Sequence, residues 1–195
     1  MEEPGLAEVV GDVLTWWFGI QFWAKGEPKN PTAHYDDLWR QKWFAKEELT
    51  AIVDNHIKDN FQVHVDKAIS GEYDHWGKDH YGALAFVVLA DQFTRNIYRG
   101  TARAWAGDAK SRSSPVSTKP VGRAMLYMPL LHAEDAALQA KSVELFEALY
   151  EDAKAKGAGT LSILQRFHAV ELFGRFPERN RHLGRQSTTA EAAKL

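Results

Sequence analysis

The stretch Ala83-Leu84-Ala85-Phe86-Val87-Val88-Leu89-Ala90 runs directly into Asp91-Gln92-Phe93-Thr94-Arg95-Asn96-Ile97-Tyr98-Arg99-Gly100-Thr101. Such an apolar run, in a segment expected to be helical from about Tyr81 to Gln92, describes a helix hydrophobic on every side and therefore buried. The polar run is expected to begin where that core helix ends. Six of its eleven residues (Asp91, Gln92, Arg95, Asn96, Tyr98 and Arg99) can form several directed hydrogen bonds. Left unpaired at the edge of a core, each polar group would cost about 1–3 kcal/mol. The run is therefore either a network that locks helices together or one wall of a ligand site.

Helical periodicity extends outward from this segment in both directions. Leu6, Val9, Val10, Val13, Leu14 and Trp17 recur at spacings of three and four and draw one apolar stripe, which Gly19 stops. Tyr35, Leu38, Trp39 and Trp43 make an aromatic stripe. Leu49, Ile52, Val53, Ile57 and Phe61 open a third helix expected to run to Ile69 before Gly71. A long amphipathic helix is predicted from about Ala133 to Lys156, closed by Lys154, Lys156 and Gly157, and a last one from Thr160 to Phe173. Lys25–Thr32 reads as a loop, and the Ser- and Pro-rich segment at about 111–120 as a flexible surface loop. No period-two strand pattern is present. The expected fold is all-α: one domain over residues 1–195, with six to eight antiparallel helices.

With 195 residues, 45% hydrophobic and 26% charged, the chain can bury a sizeable core and has an ordinary globular composition. A net charge of −2 gives no global pull toward nucleic acid or an anionic membrane, and neither is expected as a partner. No apolar run reaches the roughly 18 residues that span a bilayer. Cysteine is absent, which removes disulfides, thiolate nucleophiles and thiolate metal sites together. A cytoplasmic location is expected. Ala193-Lys194-Leu195 would suit a peroxisomal address if it were the true C-terminus.

Three more polar clusters accompany the first: Met128-Pro129-Leu130-Leu131-His132-Ala133-Glu134-Asp135, Phe173-Gly174-Arg175-Phe176-Pro177-Glu178-Arg179-Asn180, and Leu183-Gly184-Arg185-Gln186-Ser187-Thr188-Thr189. Pro129, Glu134 and Asp135 suit the start of the long helix. Ser187, Thr188 or Thr189 could cap a short terminal helix containing Glu191. Together with Asp12-Val13-Leu14, Trp17-Phe18-Gly19, Trp43-Phe44, Asp54, Ile57, Phe61, Gly71, Trp76 and Asp108, these clusters make the chain resemble, over nearly its whole length, domain of unknown function 924. The resemblance implies tetratricopeptide-like packing of antiparallel helix pairs and no particular chemistry. The chain departs from the family pattern at Glu178 and Arg166, where histidines are usual, and at Thr94, where proline is usual. The segment between Asp108 and Arg123 is shorter than is typical of the family.

The chemistry-bearing residues suggest a polar pocket. His132, Asp91 and Glu134 are the candidate acid–base residues, because histidine titrates near neutral pH and the carboxylates can hold or tune it. His132 and Glu134 are two apart, so only a turn brings them together. Arg95, Asn96, Tyr98, Arg99, Arg175, Arg179 and Asn180 are the candidate ligand-binding residues, since arginine forks bond two oxygens of a carboxylate or phosphate at once. On a helix Arg95 would lie beside Asp91 and keep it ionised. Asp91, His132, Glu134 and Asp135 are also possible ligands for hard or borderline metals, but no His-x-x-x-His or Glu-x-x-His pair supports a defined metal set. The pocket is expected to take a small acidic metabolite or a metal, with turnover and cofactor left open. The alternative is a tetratricopeptide-like interaction module, or a structural subunit of an assembly, in which the arginines only tie helices together and a protein is the partner.

Overall fold

The computed structural model describes residues 6–19, 39–43, 45–46, 48–112, 120–155, 173–193 and 195. The expected helix at Thr160–Phe173 (up to residue 172), the loop at Lys25–Thr32, most of the Ser/Pro segment, Trp23 and Arg166 lie outside the described residues. Among those described, the chain is all-helical. Its α-helices are α1 (Leu6–Phe18), α2 (Glu48–Ser70), α3 (His80–Val87), α4 (Thr94–Ile97), α5 (Asp108–Ser111), α6 (Pro120–Leu131), α7 (Ala136–Ala155) and α8 (Thr189–Ala192). No described helix is long and apolar enough to cross a membrane.

The apolar run occupies the centre, as its composition requires. Every residue from Gly82 to Asp91 is buried, and Leu84, Ala85, Val87, Val88, Leu89 and Ala90 have no exposed surface. Around it pack Val9, Val13, Leu14, Trp17 and Phe18 of α1, and Met125 and Leu126 of α6. The i, i+4 row Val53, Ile57, Phe61 and Val65 of α2, with Ala68 three residues on, completes the shell. Leu49 and Ile52, read as part of the buried stripe of α2, instead stand 46% and 63% exposed. The contact side of α2 is set by the row through Val53: Ile52 is turned about 100° from it, whereas Leu49 continues the row one turn earlier, in the first turn of the helix. Gly71 closes α2 with φ near +101°, a left-handed conformation that side-chain-bearing residues adopt at a cost. The amides of Gly71 and Glu72 both bond back to the Lys67 carbonyl, at 3.1 and 3.0 Å.

Two expectations need correction. The core helix does not end before the polar run: α3 passes through a π-helical segment, Val88–Phe93, and resumes as α4 to Ile97. Wide π turns insert a residue without breaking the helix, so Asp91 is carried into the core on a continuous rod. Pro129 does not start the long helix either. It lies inside α6, which reaches Leu131. Residues 132–135 then form the turn that joins α6 to α7, and the two helices pack against each other as a hairpin.

Candidate functional site

Asp91 is fully buried, and its surroundings are polar on three sides. Nδ1 of His132 stands 2.9 Å from each carboxylate oxygen. Arg95, one helical turn on, brings Nη1 to 3.1 Å from Oδ1, and the Gln92 amide donates to Oδ2. Burial alone would push Asp91 up, but the Arg95 charge, the His132 interaction and the Gln92 hydrogen bond outweigh it and hold the carboxyl at about 2. The sequence expectation that Arg95 keeps Asp91 ionised is met. An ionised carboxylate only accepts, so His132 Nδ1 must carry a proton in this contact.

A second carboxylate, singled out in sequence only as part of a motif, completes the constellation. Asp108 sits at the start of α5 and faces Arg95, with Nη2 donating to Oδ2 at 3.0 Å and Nη1 3.0 Å from Oδ1. Arg179, from the Phe-Pro-Glu-Arg-Asn cluster, reaches the same Asp108 Oδ2 at 3.5 Å and donates to the His132 carbonyl at 3.1 Å. Its guanidinium also lies 4.5 Å from the Phe176 ring centre and 5.3 Å from that of Trp105. Burial lowers the Arg179 pKa to about 10. Above this chain opens a cleft of about 420 Å³, lined by Trp105, Asp108, Arg112, His132, Glu134 and Arg179, together with Ala109, Asp135 and Leu138. The turn at 132–135 is what puts His132 and Glu134 on the same cleft. Arg112 differs from the other guanidiniums here: among the described residues it makes no ion pair or hydrogen bond.

The remaining sequence candidates have partners elsewhere. Arg99 forks onto Asp54 through Nε at 2.7 Å and Nη2 at 2.9 Å, and Asn96 donates to the same carboxylate at 2.8 Å. The Tyr98 hydroxyl donates to Asp66, which also takes Arg103 Nη2 at 2.7 Å. Arg175 grips both oxygens of Glu191, at 2.7 and 2.9 Å, and Asn180 reaches that carboxylate at 3.4 Å. The structure thus brings His132, Glu134 and Arg179 to one cleft, with Asp91 and Arg95 behind it in contact with His132 and Asp108. It places Asn96 and Arg99 beside Asp54, Tyr98 beside Asp66, and Arg175 and Asn180 beside Glu191. Glu134, just before α7, has partners from the C-terminal clusters. It accepts from the Phe176 amide at 2.8 Å and from both Arg185 terminal nitrogens at 2.7 and 2.9 Å, which staples the C-terminal clusters to the 132–135 turn. Asp135 does cap α7, accepting from the Leu138 amide at 2.9 Å, and Thr188 caps α8 in a reciprocal box with Glu191.

Residues of all four polar clusters quoted from the sequence therefore meet around the 132–135 turn, and the order of those clusters along the chain is what a family model reads. The model described as "Bacterial protein of unknown function (DUF924)" matches residues 13–195. The chain belongs to this family. A solved structure of a protein of unknown function from Agrobacterium tumefaciens is 31% identical over 98% of each chain, with a TM-score of 0.71. No curated protein matches the chain significantly. Membership supplies no reaction, so the chemistry of this family member must be argued from the cleft.

Its titration has a definite sign. A carboxylate whose folded pKa is depressed adds stability that is fully present above its unfolded value, 3.8 for Asp91, and is lost as pH falls toward about 2. For Asp91 this amounts to about 2 kcal/mol. Glu134, which burial raises but the Arg185 hydrogen bond and charge bring below its ordinary value, acts in the same sense. Asp108 acts oppositely. Burial and the nearby Asp91 charge leave it above its ordinary value despite Arg95, so its ionisation weakens the fold as pH rises through that raised value. The expected net result is a urea midpoint that falls steeply between about pH 4 and pH 2. Asp91→Asn should flatten that fall, and an unchanged slope in the variant would show that other acids govern it.

Proposed function

We propose that the cleft beside Asp91 and His132 binds a small carboxylic acid and that His132 acts there as a general base. The observation that carries this reading is the buried pair itself: a carboxylate held ionised, gripping Nδ1 of a histidine that lines a cleft. Such a pairing fixes the tautomer, orients the ring and stabilises the imidazolium formed when Nε2 accepts a proton from the ligand. Arg112 supplies the anion-binding group, since among the described residues its fork is not committed to a carboxylate. Trp105 and Leu138 give the apolar surface that a ligand of this size buries against. Among the described residues the lining contains no serine, threonine, cysteine or lysine, so proton transfer suits these side chains better than a covalent intermediate.

The interaction-module alternative would put a partner on a concave helix face away from the polar clusters. The cleft lies among those clusters instead, which supports the small-molecule reading. For Arg99, Arg175 and Asn180, whose hydrogen bonds are spent on Asp54 and Glu191, we infer an architectural role.

The test is a thermal-shift series of small mono- and dicarboxylates on the purified protein. A ligand at one hundred times its dissociation constant should stabilise the fold by about 2.7 kcal/mol. Arg112→Ala should abolish the shift, whereas His132→Gln should retain binding and lose any turnover of the bound acid. A series without a single saturable shift, or a shift that survives Arg112→Ala, would sink the proposal.

A further inference from the structure

A second recess opens on the other flank of the polar run. It has a volume of about 300 Å³ and is walled by Trp43, Ala45, Thr50 and Val53, with Lys42, Lys46, Asp54, Asn96 and Arg99 as its polar lining. Among the described residues, three cations thus face one carboxylate. Asp54 is already satisfied by the Arg99 fork and the Asn96 amide, so those two charges cancel. Lys42 and Lys46 remain. The half-buried Lys42 donates to the Trp16 carbonyl at 2.5 Å and stands 4.6 Å from the centre of the Trp16 ring. Among the described residues no carboxylate pairs with Lys42 or with the more exposed Lys46.

That arrangement is costly for the fold alone. Removing an ammonium from water without a counter-charge is unfavourable, and here burial lowers the Lys42 pKa despite the Trp16 carbonyl and ring beside it. A methionine of similar length would cover Trp16 as well. We propose that this recess binds the phosphoryl group of a small phosphate monoester, at a site separate from the Asp91–His132 cleft and independent of its reading. The two uncompensated lysine charges match a phosphate dianion, and lysine serves phosphate as a compact point charge that needs no planar partner. The volume lies at the small end of the range for metabolite sites, enough for a phosphoryl group and a few carbons.

The experiment is calorimetric titration of the full chain with inorganic phosphate and with glycerol phosphate at constant ionic strength, using sodium acetate as a carboxylate control. Saturable binding of both phosphates and none of acetate in this recess is expected. Lys42→Met and Lys46→Met should each raise the dissociation constant about tenfold or more, as loss of a charge-assisted hydrogen bond does. Arg112→Ala should leave phosphate binding unchanged. Lys42→Met removes a buried charge and keeps the packing, so it should fold at least as well as the parent chain, and the exposed Lys46 provides a second variant with no folding cost. Absence of saturable phosphate binding, affinity in the lysine variants equal to that of the parent chain, or loss of binding in Arg112→Ala would each overturn the proposal. The last of these would move the phosphate to the first cleft.

Discussion

Asp91→Ala is expected to lower the free energy of unfolding by about 3–5 kcal/mol, the range for breaking a buried ion pair from one side. The carboxylate has no exposed surface, and its removal leaves the Arg95 guanidinium, only 20% exposed, with Asp108 as its remaining counter-charge. It also leaves His132 Nδ1 without its acceptor in a buried position, which adds the desolvation penalty of an unpaired donor. Asp91→Asn should cost less, because the carboxamide oxygen still accepts from Nδ1 while the charge is lost. The two variants therefore separate charge from hydrogen bonding. Urea denaturation of both against the parent chain reads the difference. A loss below about 1 kcal/mol for Asp91→Ala would mean that the network contributes to function without contributing to the fold.

The same network shows what the sequence could and could not reveal. The i, i+4 relation of Asp91 and Arg95 is local, so a helix assumption alone put them side by side. The burial of the 83–90 run and the α2 row through Val53 followed equally from composition and period. A short terminal helix containing Glu191, capped by Ser187, Thr188 or Thr189, was legible because cap and helix start are local, and the structure selects Thr188. The π turn was not legible: Val88–Phe93 has the composition of an ordinary buried helix, and the extra residue per turn is a response to tertiary packing. The acid partners were the largest gap. Asp54, Asp66 and Glu191 lie tens of residues from Arg99, Arg103 and, for Glu191, 16 residues from Arg175, and nothing local marks them as the acids that those arginines choose. Splitting the polar run between two clefts, with Arg95 toward one and Asn96 and Arg99 toward the other, likewise depends on where α2 and α5 pack.

Asp108 owes its place in the site to its neighbour, and Gly107→Ala should show it. An added Cβ at Gly107 would lie 2.1 Å from the Ala90 carbonyl oxygen, 2.8 Å from its carbon and 2.9 Å from the Ala90 Cα. These are backbone atoms of the central helix, which cannot rotate away as a side-chain end would. Gly107 has φ near −90°, open to any residue, so the penalty is steric and not conformational. Relief requires α5 to move off the π segment, and α5 carries Asp108, with Ala109 and Arg112 on the same stretch. The expected cost is about 1–3 kcal/mol or more, as for other overpacked cores. A matched loss of carboxylate binding should accompany it, because Arg112 and Asp108 shift together relative to His132. Gly77→Ala is the control, since an added Cβ there meets nothing within 4 Å and should change stability by no more than about 0.5 kcal/mol. Calorimetric unfolding of the two variants decides the matter. If they proved equally stable, the contact between α5 and Ala90 would be looser than described, and the position of Asp108 beside Arg95 would need another support.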